Sequence, residues 1–93
     1  MELDVFLKAY KEDHWNKYLE FCRGENVQYN TQLGGITLPE DIAVVICYRF
    51  GEYEATQWLH KRVPALGNIQ PKELLCNERG QNILREVLMR LPD

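Results

Sequence analysis

The 93-residue sequence has no long hydrophobic run, and its first residues show no pattern of an export leader. Its longest strongly apolar stretch, residues 42–47, is far shorter than the ~20 residues that a helix needs to span a bilayer. Residues 1–4 lack the positive segment with which a secretory signal begins, so no signal peptide is expected. We therefore expect one small domain that acts in the cytoplasm and does not enter a membrane.

Cysteine is scarce, and its spacing matches none of the common cysteine motifs. Cys22, Cys47 and Cys76 cannot all pair within the chain, and no Cys-x-x-Cys occurs. With His14 and His60 they show no metal-ligand spacing, so no metal or cofactor is expected. A cysteine–histidine nucleophilic pair stays open, because its members would meet only in the fold. Apolar neighbours favour three buried structural thiols in a reducing compartment, and the chain is predicted not to be an enzyme.

Basic side chains are fewer than acidic ones. The chain carries 14 acidic and 11 basic side chains, for a net charge of −3. The residues before Arg49 hold four basic and eight acidic side chains, and those from Arg49 onward hold seven and six. Nucleic-acid backbones are bound by clustered Lys and Arg, and this sequence has no such stripe. DNA binding by this chain alone is therefore not expected.

What the sequence does contain is helical periodicity. A stripe of side chains at spacings of three and four predicts one amphipathic N-terminal helix that ends at Gly24. The stripe consists of Leu3, Leu7, Tyr10, His14, Tyr18 and Phe21. Residues 25–36 are polar and typical of a loop, in which Gly34 and Gly35 form a turn. The alternation of Val27, Tyr29 and Leu33 with polar neighbours leaves a short extended piece open as the alternative. Thr37 and Glu40 then match a capping box, which predicts the start of the next helix.

The rest of the chain predicts several helices with clear boundaries. Residues 42–47 are apolar on every side and belong in the middle of the fold, and Gly51 ends their helix. A short helix before Pro64 and another after Pro71 precede a last helix capped by Asn77. The last helix should bury Ile83, Leu84, Val87, Leu88 and Leu91. The predicted fold is an all-α single domain of about five helices, three of them short.

Three segments of this half resemble a known family. Residues 50–59 read FGEYEATQWL, residues 64–67 read PALG and are followed by PKELL at 71–75, and residues 77–80 read NERG ahead of Val87, Leu88 and Arg90. Their order and spacing are similar to the patterns FG…A…WL, PALGG..P.ELL and T..G...V...L.R of the toxin-binding domain of Xre/MbcA/ParS antitoxins. Xre-type members carry a helix-turn-helix ahead of this domain, whereas residues 1–38 show one helix and a polar loop.

The resemblance implies an organisation and a function. Residues 1–38 would be an N-terminal helix and loop, and residues 39–93 a helical toxin-binding domain, in one continuous fold. The expected partner is a RES-type toxin, an enzyme that consumes NAD, whose active site the antitoxin would occlude without cofactors of its own. Homo-oligomers are compatible with this role. The alternative interpretation is a small transcriptional regulator or DNA-binding adaptor.

Two groups of residues follow from this interpretation. The first group consists of charged side chains of the last helix and the terminus, which we expect to be exposed and to contact the partner: Arg79, Arg85, Glu86, Arg90 and Asp93. The second consists of family-motif positions expected to serve mainly the fold: Trp58, Leu59, Pro64, Leu66, Gly67, Pro71, Leu74, Leu75 and Gly80. Within the second group, Trp58 is predicted to be a core anchor, with a hot-spot contact to the partner as the alternative. Gly80 is predicted to permit a close approach of helices.

Overall fold

A computed structural model of the chain describes residues 3–91. The elements in chain order are helix α1 (Leu3–Ala9), helix α2 (Glu12–Gly24), strands β1 (Gln32–Leu33) and β2 (Ile36–Thr37), helix α3 (Glu40–Leu59), 3₁₀ helices at Pro64–Leu66 and Pro71–Cys76, and helix α4 (Glu78–Arg90). The all-α prediction is confirmed, since the only strands in this part of the chain are two residues long each. No helix in residues 3–91 combines the length and the apolar character that a membrane span requires.

The prediction of one N-terminal helix is wrong, because the chain breaks between α1 and α2. The stripe that begins with Leu3 and Leu7 would continue through His14, but His14 is exposed and Trp15 is only 2% exposed. A one-residue shift rotates the apolar face of a helix by about 100°. The break at residues 10–11 accommodates this rotation, so that α1 packs on α4 while α2 packs on α3 and α4.

Helix α3 supplies the centre of the core, as predicted. Every residue from 42 to 47 is buried, and these residues belong to one hydrophobic cluster with side chains of α2 and α4. Gly51 has φ 79° and ψ 161°, which interrupts the helix without ending the element. Only glycine adopts this backbone region readily. The sequence predicted two helices separated near Gly51, and the structure has one element, α3, with a break at Gly51.

The segment before α3 differs from the sequence prediction. Gln32 and Leu33 pair antiparallel with Thr37 and Ile36, and the two-residue turn between the strands has positive φ at both glycines. Thr37 is thus used by the hairpin, and α3 begins at Glu40 with no side-chain cap. The predicted capping box is wrong. The carboxylates of Glu40 and Asp41 do lie in the first turn of the helix, where the helix dipole favours them.

The family-like half of the chain is held by close backbone packing. Asn77 caps α4 as predicted, since its side-chain oxygen accepts a hydrogen bond of 2.8 Å from the Gly80 amide. A Cβ atom added at Gly80 would lie 2.2 Å from the carbonyl oxygen of Leu74. The second 3₁₀ helix and α4 therefore approach too closely for any side chain at this position. The predicted apolar face of α4 is confirmed, with Ile83, Leu84, Val87 and Leu88 buried and Leu91 partly buried.

Candidate functional site

The charged residues of α4 were expected to be exposed, and two of the four described ones are not. Glu86 is 7% exposed, and the side chain of Arg85 is 12% exposed. The expectation is wrong for these two because α1, α2, α3 and the second 3₁₀ helix all pack on α4 and leave it a narrow free surface. Asp93 lies outside the described residues.

Arg85 belongs to a polar cluster that joins three helices. Its Nε and Nη2 atoms donate to the two carboxylate oxygens of Asp41 on α3, at 2.9 and 3.3 Å, and its Nη1 donates to Asn82 at 2.7 Å. The indole nitrogen of Trp15 on α2 donates to Asp41 at 2.9 Å, and the guanidinium lies 5.9 Å from the Trp15 ring centroid. A carboxylate and a guanidinium removed from water need such partners. Arg85 therefore fixes how the helices pack.

Asp41 is held ionised by this cluster. Burial raises the pKa of Asp41, but the hydrogen bonds and positive charge of Arg85 lower it, as do the bonds from Trp15 and from the Ile42 amide. The net pKa of Asp41 is lower than the ordinary value of 3.8. Asp41 and Arg85 therefore remain an ion pair near neutral pH, and this pair serves to hold the helices together.

Arg79 and Arg90 are the exposed charged residues of the predicted contact group, and both touch α1. Arg79 forms an ion pair with Asp4, and both side chains are more than half exposed. Arg90 donates from Nε to Glu86 at 2.6 Å, and its guanidinium lies 5.5 Å from the ring centroid of Phe6. Exposed ion pairs contribute about 0–1 kcal/mol, so a partner can replace the Arg79–Asp4 contact at small cost. The guanidinium of Arg90, by contrast, also neutralises Glu86, whose side chain is only 10% exposed.

The family-motif residues either pack in or against the core or lie at turns and helix boundaries. Gly67 takes a left-handed conformation with φ 71°, and Asn68 after it has φ 67°. The buried members of the group are Leu59, Leu66, Pro71, Leu74 and Gly80, the partly buried ones are Trp58 and Leu75, and Pro64 and Gly67 are exposed.

Trp58 lies at the edge of the core and helps form a surface groove that the sequence did not predict. Its ring lies 5.3 Å from that of Phe50, across the break at Gly51. The residues that line this groove of about 170 Å³, which we call the α3 groove, are Phe50, Glu54, Gln57, Trp58 and Lys61. Tyr53, in the same part of α3, is 74% exposed and does not line the groove. The signal available in the sequence was the spacing of residues 50, 54, 57, 58 and 61, which repeats at three and four.

Two of the three cysteines, Cys22 and Cys47, do not have the environment of a reactive thiol. Cys22 and Cys47 are buried, as predicted, but Cys76 is exposed. Burial raises the pKa of Cys22 to about 11 and also raises the pKa of Cys47, so both remain protonated near neutral pH. Since the thiolate is the nucleophilic form, these two thiols are suited to packing. In residues 3–91, no group of three or more His, Cys, Asp or Glu side chains could hold a metal ion.

Comparison with known proteins gives one match. Residues 48–92 match the family described as the antitoxin Xre/MbcA/ParS C-terminal toxin-binding domain. The matched segment begins just before the break in α3 and contains the α3 groove, both 3₁₀ helices and α4. No curated protein and no solved structure matches the sequence.

Proposed function

We propose that this chain, whose residues 48–92 belong to the Xre/MbcA/ParS toxin-binding family, is an antitoxin that neutralises a RES-type, NAD-consuming toxin. The family match is the observation that carries the proposal. Binding of a toxin requires a complementary surface and no catalytic group on the antitoxin. The raised pKa values of the buried thiols Cys22 and Cys47 are consistent with a protein that acts by binding.

Occlusion of an active site is most effective when the blocking surface is rigid before it binds, because little conformational entropy is then lost. The matched segment has this property. The contact of Gly80 with Leu74 joins the second 3₁₀ helix to α4, and Asn77 caps α4. Arg49 donates one hydrogen bond to Tyr18 on α2 and another to the carbonyl oxygen of Leu91, so the end of α4 is fastened to α3.

The contact residues that we propose on α4 are Arg79 and Arg90. An exposed guanidinium can form paired hydrogen bonds with a carboxylate of the partner. Both residues lie beside α1, which has no buried residue and contributes Asp4 and Phe6 to the contacts. The partner would therefore meet a surface built from α4 and α1 together, with Asp93 as a further proposed contact.

The test combines the purified chain with the product of the neighbouring gene, which the proposal predicts to be a RES-type, NAD-consuming toxin. We expect a stable complex on gel filtration and loss of NAD consumption at equimolar antitoxin, while the chain alone consumes no NAD. Arg79→Glu and Arg90→Glu should each weaken inhibition about tenfold, the cost of reversing one charge at an interface. Arg23→Glu is the matched control, because Arg23 also forms an exposed ion pair, with Glu40, but lies outside the matched segment.

Two outcomes would contradict the proposal. Unchanged NAD consumption in the presence of excess antitoxin would remove the function itself. Equal effects of Arg23→Glu and the two α4 variants would leave the antitoxin function standing and remove the assignment of its surface.

A further inference from the structure

Helix α1 is less firmly anchored than the other three α-helices. None of its seven residues is buried, whereas α2, α3 and α4 all contain buried side chains. Its apolar contacts with the core come from Leu3, Phe6 and Leu7, each of which is only partly buried. A helix of seven residues is not stable in water by itself, so α1 is helical because it is docked. Undocking would therefore unfold α1 and leave the core in place.

Two arginines at opposite ends of α4 hold α1. Arg79, in the first turn of α4, forms an exposed ion pair with Asp4. The guanidinium of Arg90, in the last turn, lies 5.5 Å from the ring centroid of Phe6. The two arginines are eleven residues apart, which is about 16 Å along a helix. Helix α1 therefore packs on the stretch of α4 between them.

The face of α4 under α1 belongs to the toxin-binding segment. Ile83 and Glu86 lie between the two arginines at spacings of four and three, and so on the same face of the helix. Ile83 is 2% exposed and Glu86 is 7% exposed, and the packing of α1 on α4 contributes to this burial. This face lies within residues 48–92, which match the toxin-binding family, whereas α1 lies outside them. A helix outside the matched segment thus covers part of that segment.

We propose that α1 is a displaceable strap on α4 and that the toxin binds by taking its place. The identity of the partner rests on the proposed function, whereas the strap does not. Of the surface that the partner first meets, α1 would then be the part that leaves.

The contacts of α1 indicate what the toxin would present to α4. Asp4 offers a carboxylate to Arg79, and Phe6 offers an aromatic ring to the guanidinium of Arg90. Both kinds of contact are favourable for arginine and can be made by another chain. An amphipathic helix of the toxin with an acidic and an aromatic side chain would reproduce them.

A strap of this kind sets the affinity and the selectivity of the chain. Only molecules in which α1 is released can bind, so the apparent dissociation constant is the intrinsic one divided by the released fraction. A protein that makes fewer contacts with α4 than α1 makes cannot displace it. Competition with α1 therefore disfavours partners that merely carry negative charge.

Hydrogen exchange of the free chain tests the strap without any partner. The amide of Tyr10 donates to the carbonyl oxygen of Phe6 at 3.0 Å, so its exchange reports on α1. We expect it to exchange at least about tenfold faster than the central amides of α4, through local opening that leaves α4 protected. Equal protection of α1 and α4 would mean that α1 opens only when the whole chain unfolds, which would overturn the strap.

The same measurement on the complex with the product of the neighbouring gene tests displacement. The amides of α1 should exchange faster in the complex than in the free chain, while those of α4 become more protected. Slower or unchanged exchange of α1 in the complex would show that α1 stays on α4 and would overturn the proposal.

Lys8→Pro releases the strap and leaves both arginines unchanged. Lys8 is exposed, and proline at this position removes a helical amide and disfavours the helix. Lys8→Ala is the matched control, because it removes the same charge and favours the helix. We expect Lys8→Pro to inhibit the toxin about threefold to tenfold more strongly than Lys8→Ala, since no strap has to be displaced. Equal or weaker inhibition by Lys8→Pro would count against displacement.

The two proposals fail separately. If the product of the neighbouring gene is not bound, the antitoxin function is wrong, and hydrogen exchange of the free chain still decides whether α1 is a strap. If the toxin is inhibited while α1 stays protected, the antitoxin function stands and the strap is wrong.

Discussion

The two halves of helix α3 lie on either side of Gly51 and differ in almost every respect. Before the break, residues 42–47 are all buried, with exposures from 0% to 4%. After it, only Ala55 and Leu59 are buried, and Tyr53 is 74% exposed. The first half therefore specifies the fold, and the second half combines two anchoring residues with an exposed surface.

This difference shows what the break accomplishes. A continuous helix that is apolar on every side must be surrounded by other elements. With its positive φ, Gly51 redirects the chain after residue 50, so that the following turns lie at the edge of the domain. The exposed side chains of the second half can then change with little effect on the core, whereas Ala55 and Leu59 belong to it. The predictions below test this division along one helix.

The largest effect is expected in the buried half. Ile46 is fully buried, so Ile46→Ala should lower the free energy of unfolding by about 2–5 kcal/mol through lost burial and the cavity left behind. Chemical denaturation followed by circular dichroism measures this change in the free energy of unfolding. A loss below about 0.5 kcal/mol, typical of surface sites, would mean that this half is not the centre of the core.

The next effect concerns Asp41, at the start of the buried half. Asp41→Asn removes the charge that Arg85 needs, which should cost about 1–3 kcal/mol at neutral pH. Because the pKa of Asp41 is lower in the folded chain, its ionisation stabilises the fold fully above the unfolded value of 3.8. This contribution is lost as the pH falls through the folded pKa below that value. The two chains should therefore differ in their free energy of unfolding at pH 7, and this difference should decrease as the pH falls below 3.8. A difference that does not change with pH would contradict the interpretation.

The boundary itself gives a smaller effect. Gly51→Ala creates no clash, because nothing lies within 4 Å of the added Cβ, but φ 79° is unfavourable for alanine. We expect a loss of about 1–2 kcal/mol in the free energy of unfolding from backbone strain alone. Gly24→Ala is the control, since Gly24 also has open space but no positive φ. Equal stability of the two variants would show that the break is not strained by a side chain.

The smallest effect on stability is expected in the exposed half. Tyr53→Ala should change the free energy of unfolding by no more than about 0.5 kcal/mol, because the ring is mostly in water already. The loss in the free energy of unfolding for Tyr53→Ala, set beside that for Ile46→Ala, compares the two halves of α3. A large loss for Tyr53→Ala would mean that the second half of α3 also carries the fold.

Much of the fold followed from local patterns, because local chemistry decides helix boundaries. Asn77 caps α4 by a hydrogen bond within one turn, and the apolar run at 42–47 has no stable place outside a core. Gly80 was also identified correctly as a point of close approach. Patterns of this kind depend on residues a few positions apart, so one sequence is sufficient to detect them.

The proposed contact surface was harder to anticipate, because burial of a charged residue depends on what packs over it. Arg85 and Asp41 are 44 residues apart, and Trp15 is 26 residues from Asp41. Nothing local to Arg85 distinguishes it from Arg79, which is exposed. The shift in phase between α1 and α2 was missed for the same reason, since Trp15 takes its orientation from Asp41.

The sequence by itself determined the helical class, the boundaries of the later helices, the buried centre and the family of residues 48–92. These depend on periodicity, capping and motif spacing, which are patterns among residues close together in the sequence. Only the tertiary structure decided which charges are buried, where the N-terminal helix breaks and that Phe50 and Trp58 meet to form a groove. Those outcomes depend on contacts between distant residues, and the free energy of removing a side chain from water is set by its neighbours in space.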